Sequence, residues 1–202
     1  MRTTISTATT DRRQAILDAA TTLMAEAGSR GTTIAAVAER AGMTDAGVLY
    51  HFRSKQDLLL AVIEQFDRDI ERVLEHQEGS GIELLRALRD WGVGMELVPE
   101  IQSLLIVLTT EHLHAEGAAR DYLRRRYRRT LDRLRTAFAD AAEGGDLRAN
   151  LDPDQEASAF VAFLDGIRLQ WFLLDGSVSM ADSVRTYVEH TLDRLAPQKD
   201  DR

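Results

Sequence analysis

Three hydroxyl side chains, Thr33, Thr44 and Ser54, fall within twenty-two residues, and each stands directly before an apolar-periodic segment. A hydroxyl in that position accepts from a backbone N–H of the following first turn, while the remaining N–H groups and the helix dipole favour an anion. Three such starts close together suit a chain of phosphates. Other candidate chemistry is thinner. The cationic run Arg124 to Arg129 (RRRYRR) sits beside apolar positions, and Asp121 to Arg125 and Arg128 to Asp132 are spaced i, i+4, as on a solvated helix face. In EHLHAE, His112 and His114 point to different sides of a helix, so Glu111, His112, His114 and Glu116 read as surface or pocket-polar groups rather than metal ligands. The absence of cysteine excludes a disulfide framework, a thiolate nucleophile and the common zinc modules. No nucleophile motif, Gly-rich phosphate loop or repeated His-carboxylate spacing points to catalysis, so no enzyme, metal or cofactor is expected.

The charge distribution agrees with an anionic partner for the first part of the chain only. Residues 1–55 hold seven Lys/Arg and five Asp/Glu, a balance of two positive charges. The whole chain of 202 residues has formal net charge −8, which leaves ten negative charges on the remainder. No window approaches the run of about eighteen apolar residues that a membrane span needs, and MRTTISTATT lacks the apolar block of a secretory signal. The protein is expected in the cytoplasm.

The elements that must position these groups are helices. Only Pro99, Pro153 and Pro197 interrupt the chain, strict alternation is absent, and apolar residues recur at three and four. The reading is an all-α fold of about nine helices. Ile16, Leu17, Ala20, Leu23, Met24 and Ala27 form the first stripe, which Gly28 should end. Thr33 caps a short helix stopped by Gly42, Thr44 caps another to about Phe52, and Ser54 opens a long one with Asp57 three residues on. Gly79-Ser80-Gly81 closes the region. Single helices follow at 82–97, 100–114 and up to about 143, then at 155–174 and about 180–195. The expected organisation is a disordered tail at 1–10, a helix-turn-helix domain at 11–55 with the connecting helix from 54, a helical bundle at 56–197, and a tail at 198–202.

Two helices of under about ten residues are unstable alone, because nucleation is costly and few bonds repay it. A helix-turn-helix gives them a reason to be short: the first braces the second, whose N-terminal residues enter the major groove of DNA. The segment TTIAAVAERAGMTDAGVLYHFRSKQDLL resembles the DNA-binding segment of the tetracycline-repressor (TetR) family, matching at Thr33, Val37, Ala38, Ala41, Gly42, Met43, Thr44, Tyr50, His51, Phe52, Ser54 and Lys55. The resemblance implies that Thr33 and Thr44 bind phosphates, that Asp45, Ala46 and Gly47 face bases, and that Tyr50, His51 and Lys55 anchor the DNA backbone. The family's commoner order is Thr-Leu-Tyr-x-His-Phe, whereas here Gly47 takes the place of Thr and Leu49 that of the phosphate-touching Tyr. Tyr50, one step later, is the candidate replacement. Asp45 can accept from a cytosine amino group or serve the helix N-terminus electrostatically.

A DNA reader needs only the first fifty-odd residues, so the remainder has other tasks. AFVAFLDGIRLQWFLL, 159–174, is apolar on nearly every face, as a helix buried from both sides would be. One side suits its own body and the other a second copy. Phe160, Leu164 and Phe172, with Val184, Tyr187, Val188 and Leu192 of the last helix, are the candidate four-helix dimer seam, an arrangement the resemblance also implies. Trp91, Met95, Leu104, Leu105, Leu108, Tyr127, Phe163, Ile167 and Trp171 are candidates to line a pocket for a hydrophobic small molecule. Together these features suggest a ligand-responsive homodimeric regulator, a repressor released from double-stranded operator DNA. The alternatives are a helical dimerisation or scaffold protein with a degenerate head, and an all-helical enzyme using the same cavity.

Overall fold

The structure is a computed structural model that describes residues 3–75, 81–114 and 116–197. Among them there are ten α-helices, one 3-10 turn and no strand. The expected tail at 198–202 and the residues Gly79 and Ser80 of the expected break lie outside the described residues. No single described helix is long and apolar enough to cross a membrane.

Helix α1 spans Thr3–Gly31. It starts well before the expected boundary at residue 11, because nothing between Thr3 and Gly28 is a glycine or proline that would stop it. Gly28 does interrupt it, with φ +69, a left-handed conformation that costs glycine little. One further turn follows, closed where the Thr32 N–H (3.1 Å) and hydroxyl (2.9 Å) both donate to the Gly28 carbonyl. Then come α2, Ile34–Arg40, α3, Asp45–His51, and α4, Lys55–Glu75. The expected caps are present. Thr33 Oγ1 accepts from Ala36 N (3.1 Å), Thr44 Oγ1 from Gly47 N (3.2 Å) and Ser54 Oγ from Asp57 N (3.0 Å).

The single helix expected at 82–97 is divided into α5 (Gly81–Ala87), a 3-10 turn (Leu88–Asp90) and α6 (Trp91–Glu96). Tertiary packing is the reason. At Gly92 an added Cβ would lie 2.5 Å from the Met180 carbonyl oxygen, so the backbone here lies against the start of α10 (Met180–Arg194). Glu96 completes the junction: its Oε1 accepts from Ala181 N (3.0 Å), adding a partner to an exposed set of first-turn donors. Pro99 opens α7, Pro99–Glu111, where its missing N–H costs nothing. Helices α8 (Ala118–Glu143) and α9 (Pro153–Leu173) are as long as their periodicity predicts, and Asp152 caps α9 ahead of Pro153.

The chain divides into two compact units, and not at residue 55 as expected. The first comprises residues 1–74 with 99–119, so α4 and α7 belong with the three N-terminal helices. Its core is built from Ile16, Leu17, Ala20 and Met24 of α1, Val37 and Ala38 of α2, Val48 of α3, Phe52, then Leu58, Leu59, Val62 and Ile63 of α4 and Ile101, Leu104, Leu105 and Leu108 of α7, all buried. The reason α4 and α7 join is that each carries an apolar face that only burial can satisfy. The second unit comprises residues 75–98 and 120–202, around Leu85, Leu134, Phe138, Phe160, Leu164, Met180, Val184 and Leu195.

Gly92→Ala should destabilise the second unit by ~1–3 kcal/mol, since the neighbours, at Met180 and Ala181, are backbone and cannot swing away. Urea unfolding followed by the Trp91 and Trp171 fluorescence measures it; an unchanged midpoint would contradict the close approach.

Candidate nucleic-acid interface

Helix α3 is held in the first unit by one fully buried side chain, Val48, followed by buried Phe52 at its C-cap. Glycine supplies the turn before it. Gly42 has φ +67, and Met43 N returns to the Ala38 carbonyl (2.9 Å). Arg40 braces α2 against α1 through two parallel bonds to Glu26, 2.8 and 2.7 Å. That bond holds the Glu26 carboxyl below its ordinary range, so the brace is complete above that range and is lost on acidification.

With Val48 inward, the remaining residues of α3 form two surfaces that share Tyr50. Asp45, Ala46, Leu49 and Tyr50 are exposed, Tyr50 by 83%. Thr44, Gly47, Tyr50 and His51 line a groove of about 570 Å³ together with Ala41, Gly42 and Met43 of the turn and Asp11, Arg12 and Ala15 of α1. The Tyr50 ring meets the His51 imidazole edge-on, centroids 5.3 Å apart. The groove thus gathers two side-chain hydroxyls, an imidazole and a guanidinium on one small surface, with the Asp11 carboxylate beside them. Such a set can donate to phosphate oxygens at several points.

Of the sequence-derived residues, Thr44, Gly47, Tyr50 and His51 are brought together here, and Asp45 and Ala46 sit beside them. Thr33 is exposed at the start of α2, its hydroxyl used as a cap. Lys55 stands apart. Its ammonium donates to the Arg30 carbonyl (3.3 Å), and it lines a different groove with Arg30, Gln56, Leu59, Leu104, Val107, Leu108 and Glu111. Two of its three N–H groups remain for another acceptor. Sequence reasoning missed Arg12 as a member of the groove. The available signal was its place one turn before buried Ile16 on the same helix, which directs it to the edge of the packed face.

The nine residues assigned to a pocket fall in both units. Leu104, Leu105 and Leu108 are buried in the first. Trp91, Met95, Tyr127, Phe163, Ile167 and Trp171 belong to the second, where Met95 and Ile167 are buried and the four aromatics are half-buried against its core. Phe163 stacks on Tyr187 at 4.0 Å. Beside them lies a polar cluster the sequence reading overlooked. Tyr127 Oη donates to Asp165 Oδ2 (2.9 Å), and Arg168 Nη1 donates to Asp165 Oδ1 (2.9 Å). The signal was two opposite charges spaced i, i+3 inside an otherwise apolar helix. Burial pulls the Arg168 guanidinium below its ordinary value, with Asp165 acting in the opposite direction. Burial first, then the Asp165 carboxylate, push the Tyr127 phenol up to about 12.

The dimer-seam assignment needs correcting for four residues. Phe160, Leu164, Val184 and Val188 are 0–5% exposed in the single chain, so their area is already spent inside the second unit. Phe172, Tyr187 and Leu192 stay half-exposed.

A short, glycine-turned helix pair whose second member exposes its outer face beside a hydroxyl-rich groove defines a helix-turn-helix DNA-binding protein with an added helical unit. Comparison with known proteins agrees. Residues 16–62 match the bacterial regulatory proteins of the tetR family, and residues 106–197 match the C-terminal region of BetI-type transcriptional repressors. The HTH-type transcriptional regulator TtgR of Pseudomonas putida is 29% identical over 199 residues, 93% of each chain. The nucleoid occlusion factor SlmA of Marinobacter nauticus is 30% identical over 171 residues, 80% of this chain and 84% of its own. A crystal structure of AibR in complex with isovaleryl coenzyme A and operator DNA superposes with a TM-score of 0.63 at 28% identity, covering 89% of this chain and 97% of that one. The chain belongs to the TetR family of bacterial regulatory proteins, DNA-binding transcription regulators rather than enzymes.

The Tyr127 phenol is raised in the folded state, so its neutral form adds stability that is complete below pH 10 and is lost as pH rises through about 12. Tyr127→Phe should flatten the fall of the unfolding midpoint across that window and remove a late-titrating component of the phenolate absorbance.

Proposed function

We propose that the protein is a homodimeric repressor acting in the cytoplasm, whose two heads hold double-stranded operator DNA and are released when a hydrophobic small molecule enters the second unit. The observation that carries the DNA half of this reading is the gathering of Thr44, Gly47, Tyr50, His51 and Arg12 in one groove beside the exposed face of α3. In the bound state Thr33 and Thr44 direct helix N-termini at phosphates, and Tyr50, His51 and Lys55 hold the backbone while Asp45, Ala46 and Gly47 lie over bases. The structure of AibR in complex with isovaleryl coenzyme A and operator DNA supports a chain of this architecture taking both kinds of ligand.

Support for the dimer comes from a second stripe on α9. Ala159, Ala162, Gly166, Leu169 and Leu173 recur at 3, 4, 3 and 4, the spacing of a helix-pairing seam. Leu169 and Leu173 are 46% and 70% exposed, and a Cβ added at Gly166 would meet nothing within 4 Å. Small residues at one end of the stripe and leucines at the other let a symmetry-related α9 approach closely, with Phe172, Tyr187 and Leu192 at its edge. This stripe replaces the inward-facing Phe160 and Leu164. Trp91, Tyr127, Phe163 and Trp171, with Met95 and Ile167, remain the effector-lining candidates in the second unit, whereas Leu104, Leu105 and Leu108 are taken up in the core of the first.

Release requires an effector that prefers a separation of the two heads that the operator disfavours, a coupling of about 1–3 kcal/mol in typical systems. The chain itself passes between the units three times, near residues 74, 98 and 119, so changes in one unit have covalent routes to the other.

Binding to an operator fragment should weaken by roughly 10³–10⁵ between 50 and 200 mM salt if about 6–10 phosphates are engaged. Salt-insensitive or absent binding would overturn the regulator reading. Replacing Thr44 and Lys55 by Ala should abolish operator binding with dimers intact, whereas unchanged behaviour in cells would favour the scaffold alternative. Leu169→Glu with Leu173→Glu should shift sedimentation from dimer to monomer; a dimer of unchanged stability would remove the α9 stripe from the interface.

A further inference from the structure

We propose that Leu49, with Ala46 beside it, reads thymine 5-methyl groups in the major groove, so that this protein selects its operator largely by methyl contacts rather than by bidentate hydrogen bonds. The inference rests on the regulator reading above and extends it to the operator's base content.

The face of α3 left outside the core consists of Asp45, Ala46, Leu49 and Tyr50. None is an Arg, Lys, Asn or Gln, the side chains that make two-point contacts to guanine or adenine edges. Leu49 is 43% exposed on a seven-residue helix whose inward contact is already supplied by Val48 at 0%. A leucine 43% exposed leaves much of its side chain outside the head's own packing. It also cannot donate to a phosphate. The hydroxyl capable of that is one residue on, at Tyr50, 83% exposed and placed edge-on to His51 on the groove with Arg12.

The backbone-holding and base-facing sides of α3 are therefore separated by one residue, about 100° of helix rotation. Tyr50 and His51 serve the first. Leu49 serves the second, with Ala46 on the surface between the two sides, three residues from Leu49 and four from Tyr50. The major-groove edge of a base pair offers one prominent apolar group, the thymine methyl. Asp45, one turn before Leu49, can only accept, which suits a cytosine or adenine amino group beside the thymine. Burying a methyl-sized group is worth about a fourfold change in affinity.

The test uses the full-length protein and duplexes selected by it from a randomised double-stranded library. Each thymine of the selected site is replaced singly by deoxyuridine, which keeps the hydrogen-bonding edge and removes only the methyl. The expected result is about fourfold weaker binding at one or two positions of each half-site. Leu49→Ala, at an exposed position and with helicity checked by circular dichroism, should bind the thymine duplex more weakly by a similar factor and be indifferent to deoxyuridine at those positions. Leu49→Tyr should retain binding and lose the methyl dependence. Indifference of the unaltered protein to deoxyuridine throughout the site, or the same dependence in Leu49→Ala, overturns the proposal while leaving the regulator reading in place. Enrichment of no duplex at all overturns both.

Discussion

A seven-residue helix has too few internal hydrogen bonds to persist in water, and two of them, α2 and α3, form the working part of this protein. What keeps them is burial. Val37 and Val48 are completely covered, with Ala38 and Phe52 almost so, against the core that α1, α4 and α7 complete. Because each short helix contributes few inward side chains, most of its surface remains free to meet something else. The capping threonines do local work first, accepting from Ala36 and Gly47, and leave the other first-turn N–H groups without an intrahelical partner.

This arrangement explains how a chain of net charge −8 can hold a polyanion. The contacts do not require a cationic surface throughout. Helix starts, hydroxyls and a few guanidinium or imidazole groups concentrate partial positive charge where phosphates would lie, while most acidic side chains occur after residue 55. The groove also joins residues more than thirty positions apart in sequence, Arg12 with Tyr50 and His51, through the packing of α1 against the helix pair.

Much of the head was legible because its signals are local. A threonine before an apolar run and a glycine after it mark a helix whatever surrounds them, and the caps at Thr33, Thr44 and Ser54 all stand where the residues indicate. Long-range packing was not legible. The division of 82–97 follows from the approach of Gly92 to Met180, a contact across almost ninety residues. The register of α9 was misread for a related reason. Phe160 and Leu164 are the larger side chains, but Ala159, Ala162 and Gly166 are the ones left outward, and hydrophobicity alone cannot tell which side of an all-round apolar helix faces its own subunit. The Asp165, Arg168 and Tyr127 cluster was hidden by the same averaging, since two charges scarcely alter the apolar character of the sixteen residues 159–174.

The place of α7 has a bearing on how such proteins can be recombined. It packs with α1 in the first unit although the segments on either side of it in the chain belong to the second. The reading head is consequently not a contiguous cassette. A graft that moved residues 1–74 alone onto another regulator would leave Ile101, Leu104, Leu105 and Leu108 behind, so exchange of operator preference between relatives, in the laboratory or in evolution, is easier by rewriting the few outward positions of α3 than by transplanting the module.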